Sequence, residues 1–309
     1  MALTERKGEF MGSERGVRHV PVLVEEVRAW LAPAAGQVWI DATVGAGGHA
    51  RLLAEAVGPQ GCVIAVDQDP TMLALARAQL VGLPVTFLQA RFDRLPQLLA
   101  ERGIEQVDGL LADLGFASDQ VDDPQRGLSF RLDGPLDMRL DRSADLTAEE
   151  IVNSWPEKEL ARLLRDYGEE RYSRRIARRI VTQRQRQPLR TTTELAELVR
   201  RCVPRTGRID PATRTFQALR IAVNEELAVL ERLLVALPEL IRPGGRAGII
   251  SFHSLEDRRV KQAFRQADLW QVLTRKPITP SPQEMARNPR ARSARLRVAQ
   301  RRESLPASP

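Results

Sequence analysis

The chain has 309 residues, 43% hydrophobic and 28% charged. That is enough to bury a sizeable core in one large or two modest domains, and too apolar for a disordered chain. Its longest apolar runs, 20–24, 107–112 and 247–250, fall far short of the ~18 residues of a membrane span. Cys62 and Cys202 form neither a disulfide framework nor a zinc knuckle, so no metal is expected. Residues 1–16 carry no apolar signal core, and the sequence predicts a cytoplasmic protein. The net charge of +7 is unevenly spread. Residues 161–220 hold sixteen Arg against six acids, and residues 271–309 hold nine Lys or Arg against two Glu. The remainder is acidic, which suggests a ligand-binding part joined to a polyanion-binding surface.

Residues 37–41 read as a short strand running into a glycine-rich turn, with a helix over 49–57. A second strand, 61–67, precedes a helix that starts at Pro70; strands over 85–89 and 107–113 follow. Strands alternating with helices predict a parallel sheet covered on both faces. The alternation stops at 114–138, 25 residues rich in Gly, Asp and Pro, longer than a compact domain keeps without a function. Helical periodicity fills 147–203, a long helix covers 211–237, and sheet resumes at 246–251. Residues 293–300 alternate and predict a last edge strand. The expected architecture is therefore α/β with an α-helical insertion at 116–212. Residues 17–115 and 213–300 make the cofactor-binding part, and 1–16 and 301–309 are expected to be disordered ends.

The turn reads Asp41-Ala-Thr-Val-Gly45-Ala-Gly47-Gly48-His49. Glycines between a strand and a helix let backbone N–H groups approach a ligand closely; packing alone is the plainer alternative. Asp67 ends the second strand, 20 residues after Gly47, where a carboxylate accepts hydrogen bonds from nucleoside ribose hydroxyls. An acid ahead of the glycines, Asp41, suits the positively charged S-adenosylmethionine and would repel the pyrophosphate of NAD. Asp113 ends the fourth strand at the edge where such sheets bind ligands.

Several strings resemble one family. They include DATVGAGGH (41–49), DQDP (67–70), DGLLADLG (108–115), RGLSFRLDGPLDMRL (126–140), RTFQALRIAVNEEL (214–227) and PGGRAGIISFHSLEDRRVK (243–261), with a first string that opens at His19. They are similar to the bacterial ribosomal RNA small-subunit methyltransferase H family, also called MraW, over about residues 17–300. The resemblance implies a Rossmann-like class I methyltransferase sheet. It implies methylation of the N4 amine of a cytosine in the decoding region of 16S ribosomal RNA by S-adenosylmethionine. It carries cofactor contacts onto Gly47, Gly48, His49, Asp67, Phe92, Asp113 and Gln120. Phe116-Ala117-Ser118-Asp119 and Asp210 depart from the family's usual Val-Ser-Ser-Pro and His.

A cytosine amine is a poor nucleophile, so a site for it must hold it in line and accept its proton. Asp113, Asp137 and His253 are the candidates, with Asp137 alternatively paired to Arg139 and His253 alternatively structural. On a helix Arg171, Arg174, Arg175 and Arg178 share one face, an expected RNA contact together with Arg139. Arg287, Arg290, Arg292, Arg295 and Arg297 form a second candidate surface. The target base has to be unpaired or flipped, and the loop 116–138 is placed to receive it. The small ribosomal subunit is the expected partner, no membrane is, and a homodimer is left open. An NAD-dependent oxidoreductase and a non-catalytic RNA-binding factor are the alternative classes. The first lacks a hydride-site constellation; the second does not account for the set Asp41, Gly45, Gly47, Asp67 and Asp113.

Overall fold

The computed structural model describes residues 21–204 and 210–303. The expected disordered start, His19 and the last six residues lie outside them. In chain order come α1 (Val24–Leu31), β1 (Val38–Asp41), α2 (Gly48–Val57), β2 (Cys62–Asp67), α3 (Pro70–Gln79), β3 (Val85–Gln89), α4 (Leu95–Ala100) and β4 (Val107–Asp113). The helical stretch comprises α5 (Ser118–Asp122), α6 (Ala148–Ser154), α7 (Glu157–Gly168), α8 (Ser173–Arg184), α9 (Thr192–Cys202) and α10 (Thr213–Val223). Last come α11 (Glu226–Leu240), β5 (Ile241–Ser251), α12 (Ser254–Phe264), β6 (Trp270–Val272), α13 (Pro282–Arg287) and β7 (Arg295–Arg301).

The sheet runs β3-β2-β1-β4-β5-β7-β6. The first five strands pair in parallel, and β7 is antiparallel to both neighbours. Side-chain alternation divides the apolar strands between two faces. Trp39, Val63, Ala65, Leu111 and Ile250 pack toward α1, α2 and α3. Ile40, Ile64, Val66, Leu110, Ala112 and Ile249 pack toward α4, α11 and α12. Gly109 leaves the room that Trp39 takes: a Cβ there would meet the indole ring at 2.4 Å. The strand order turns around between β1 and β4, the point where doubly wound sheets open a crevice at their carboxyl edge.

Three expectations change. First, β7 is not the edge strand, because β6 pairs along its outer side. Second, the long helix over 211–237 is two helices. Glu225 enters the left-handed region at φ 51°, and the Asn224 side chain donates to Met138 O and accepts from Leu140 N. Third, the helical core does not stop at residue 212. Phe216, Ala218, Leu219 and Val223 of α10 join the cluster of Ile151, Leu164, Ile176 and Leu195.

Candidate active site

The turn after β1 is shaped by Gly47, at φ 97°, a conformation that L side chains resist. The Gly45 amide donates to Asp67 Oδ2 at 2.9 Å, and the Asp69 amide donates to Oδ1 at 2.9 Å. The turn and the end of β2 are thereby locked together. A Cβ on Gly45 would meet nothing within 4 Å, so the space over the turn is open. A cavity begins there, lined by Gly45, Gly48, His49, Asp67, Phe92 and Asp113. A carboxylate at the end of β2, an aromatic ring after β3 and the open space over the glycine turn fit a nucleoside cofactor.

Two residues expected at the cofactor stand behind the cavity wall instead. Gly47 sets the turn but does not line the cavity, and neither does Asp41. The Asp41 carboxylate is 1% exposed. It accepts from the Thr43 amide, while Oδ2 has no hydrogen-bond partner. Burial pushes its pKa up to about 7, against the pull of His49. Asp67 is pushed by burial to about 6, against its backbone hydrogen bonds. Burial opposes a charge on His49, but Asp113, whose Oδ2 lies 3.5 Å from Nε2, outweighs it and raises the His49 pKa. Asp41, His49 and Asp113 form one buried charge cluster under the turn.

Gln120 lines the cavity, but its amide is engaged in fixing the wall. Its Oε1 accepts from the Ala117 amide, and Nε2 donates to Asp69 Oδ2 at 2.9 Å. Arg126 joins the same oxygen at 2.7 Å, both side chains being buried. Asp69 also caps α3 through the Thr71 amide. The segment after β4 is thus pinned to the start of α3.

The opposite end of the cavity lies beyond β4 and β5, between Phe116, Asn224, Glu226, Phe252 and Glu256. Arg220 forks Glu226 at 2.8 and 3.0 Å, and its guanidinium lies 4.1 Å from the centre of the Phe116 ring. Burial raises the Glu226 pKa, against Arg220. Glu256 Oε2 accepts the amides of Phe252 and His253, and Oε1 stands 3.2 Å from His253 Nε2. His253 caps α12 and is not a cavity-lining residue; it reaches the cavity through Glu256. Sequence reasoning missed Glu226 and Arg220. An acid at a helix start reads as a dipole partner, and only the fold brings it to the sheet edge.

Asp137 is not in this cavity. It is held by Arg139 through both carboxylate oxygens at 2.8 Å; burial opposes the charge, but Arg139 wins and lowers its pKa. Arg139 Nη1 donates to the carbonyls of Arg142 and Ala144. The pair shapes the loop, and the structure places Asp137 outside the cavity lining. Arg174, Arg175 and Arg178 share the exposed face of α8, with Arg171 exposed in the turn just ahead of it, while Ile176, Ala177 and Ile180 are buried. Arg171 stacks on Tyr172, and Arg178 stands 3.6 Å from Glu157. Glu169, just ahead of α8, holds Ser254 and Arg258 of α12, so the stripe starts beside the sheet's open edge. In the second basic region Arg297 is buried and forked to Asp257, which removes it from that surface.

Sheet order, a lone antiparallel strand near one edge and the glycine-turn cavity define the class I methyltransferase fold. The chain matches the model of the MraW methylase family over residues 16–302. It is 52% identical over 291 residues to ribosomal RNA small subunit methyltransferase H of Sorangium cellulosum, covering 93% of this chain and 92% of that one. It is 53% identical over 290 residues to the same-named protein of Cyanothece sp., covering 93% and 96%. Among solved structures it resembles an rRNA methylase from Streptococcus thermophilus, at 9% identity and a TM-score of 0.42 over 91% of this chain and 94% of that one. The chain belongs to the MraW methylase family and is an S-adenosylmethionine-dependent methyltransferase.

Proposed function

We propose that the protein methylates the N4 amine of a cytosine in the decoding region of 16S ribosomal RNA. Ribosomal RNA of the small subunit is the target in the names of its relatives from Sorangium and Cyanothece. The observation that carries the reading is the two-ended cavity: Asp67 and the glycine turn at one end, Phe116 with two carboxylates at the other. When bound, the cofactor supplies an electrophilic methyl group. Asp67 and Phe92 hold its nucleoside part. Asp113, fixed by His49, faces the region between cofactor and base. The far end offers what an amine needs: a ring for stacking and acceptors for its N–H groups.

The exposed arginines of α8 supply phosphate contacts that position the RNA without reading its bases. The small ribosomal subunit is the partner in this reading. Mass spectrometry of nuclease-digested 16S RNA from a strain lacking the protein tests it. Loss of the N4-methyl mark at one cytosine, restored by purified protein, is the expected result. Persistence of that mark, or restoration of a methyl group at another atom, overturns the reading. Naked RNA and isolated subunits as parallel substrates identify the form that is recognised.

A further inference from the structure

We propose that Glu226 is the catalytic proton acceptor for the target amine, with Arg220, His253 and Glu256 as the groups that position it. The inference rests on the amine reading above. Three carboxylates approach the working part of the cavity: Asp113, Glu226 and Glu256. They differ in what they already hold. Asp113 accepts from Gly115 and faces His49. Glu256 has one oxygen on two backbone amides and the other facing His253. Among the described residues Glu226 has one hydrogen-bond partner, the forked guanidinium of Arg220. Each carboxylate oxygen has two lone pairs, so Glu226 keeps acceptor capacity on the cavity side.

Its placement is fixed from both sides. Arg220 lies between the Glu226 carboxylate and the Phe116 ring. Arg220 thus ties the Glu226 carboxylate to an aromatic ring of the cavity lining. Facing it, the ligand atoms of Glu226, His253 and Glu256 lie within 4.8 Å of one another. These are metal-ligand types, but His253 Nδ1 accepts the Glu256 amide. That hydrogen bond assigns the ring proton to Nε2 and takes away the lone pair a metal would need. The His253 side chain is 8% exposed, and its Nε2 faces Glu256 Oε1 at 3.2 Å.

In the step itself the amine lone pair forms the N–C bond to the methyl carbon. The C–S bond breaks, and its electron pair stays on sulfur, which becomes a neutral thioether. The nitrogen proton passes to Glu226 Oε, leaving neutral N4-methylcytosine and a neutral acid that later releases the proton to solvent. Burial favours the neutral form of Glu226 and so makes its ionised form a stronger base. The charged and titratable groups around it are Arg220 from α10, His253 and Glu256 from α12, and Asp113 from β4. Glu225, paired with Arg91, is its neighbour in the chain.

The test compares wild type, Glu226→Gln, Glu226→Asp and Arg220→Gln under single turnover at saturating cofactor, with product nucleosides identified by mass spectrometry. Calorimetry gives cofactor affinity, and an infrared titration of the cofactor-free protein follows the carboxyl band that Glu226→Gln removes. Glu226→Gln is expected to slow methyl transfer ~100-fold or more and abolish the rise of rate with pH, with cofactor affinity unchanged. Arg220→Gln is expected to move that rise and the infrared midpoint to higher pH, because it removes the charge that stabilises the carboxylate. An N4-methyl product with Glu226→Gln near the wild-type rate, or with its pH rise intact, overturns the proposal alone. A wild-type product methylated at another atom overturns the amine reading, and this inference with it.

Discussion

The cavity and the helical layer treat their carboxylates in opposite ways. Around the cavity, burial raises the pKa of Asp41, Asp67 and Glu226. In the helical layer and its loops, Asp133 is lowered by Thr191 and Thr193, Asp141 by Ser143, and Glu169 by Ser254 and Arg258. One region keeps acids desolvated; the other pairs them at the surface and leaves arginines over. Desolvated acids are costly unless a ligand completes them, so the cavity is built for occupancy. Exposed arginines are worth little to stability and are available for phosphate. The cavity therefore responds to pH and cofactor, and the helical layer to salt.

The junction between the two regions gives the largest expected effect. Arg126 and Asp69 pair at 2.7 Å, with side chains 8% and 2% exposed. Removing one partner of a buried pair leaves the other charge uncompensated, at about 3–5 kcal/mol. Arg126→Ala is expected to lower the unfolding free energy from urea titrations by that amount, and Arg126→Met by less. A drop below about 1 kcal/mol in both would show that water already reaches Asp69, and the seam would be looser than its geometry.

The stripe on α8 sharpens the other side. Replacing Arg171, Arg174 and Arg178 with Gln is expected to flatten the salt dependence of RNA binding. Each lost phosphate contact changes the log–log slope by about 0.7–0.9. Cofactor affinity should stay unchanged, since none of the three lines the cavity. An unchanged slope in filter-binding titrations would make the stripe a solvated face.

Much of the sheet was legible because buried parallel strands leave short apolar runs closed by an acid. β2 ends at Asp67 and β4 at Asp113, and those ends meet at the cavity. Legibility failed where distance in sequence hides proximity. The Asp69–Arg126 tie, the Arg220–Glu226 fork and the Asn224 clamp on Met138 each need the fold to bring two segments together. Strand β6 has three residues, too few for a period to register. Asp41 was read as a cofactor contact from its place ahead of the glycines. Its burial behind the turn follows from strand register, in which Asp41 pairs with Ala65 and Leu111.

Asp67 gives the smallest and most discriminating effect, because its two contributions separate by pH. Removing it as Asp67→Ala deletes a charge-assisted acceptor pair and should weaken cofactor binding ten- to hundred-fold, about 1.5–3 kcal/mol. Its pH dependence has a definite sign. The cofactor-free carboxyl titrates at about 6, and ribose hydroxyls favour the ionised form. Below that pH binding must first expel a proton, so affinity falls about tenfold between pH 7 and pH 5. The same raised pKa means that, without cofactor, this group's contribution to stability declines as pH rises from about 4 toward 6. Asp41, at about 7, and His49 titrate nearby, so the wild-type curve alone mixes three groups. Asp67→Asn keeps the other two groups and one of the two amide hydrogen bonds that lock the turn. Calorimetry on that variant is expected to show weaker binding at pH 7 and a smaller loss on going to pH 5. A variant with the full wild-type loss would assign the pH dependence to Asp41 and His49 under the turn, and the ribose role of Asp67 would have to rest on affinity alone.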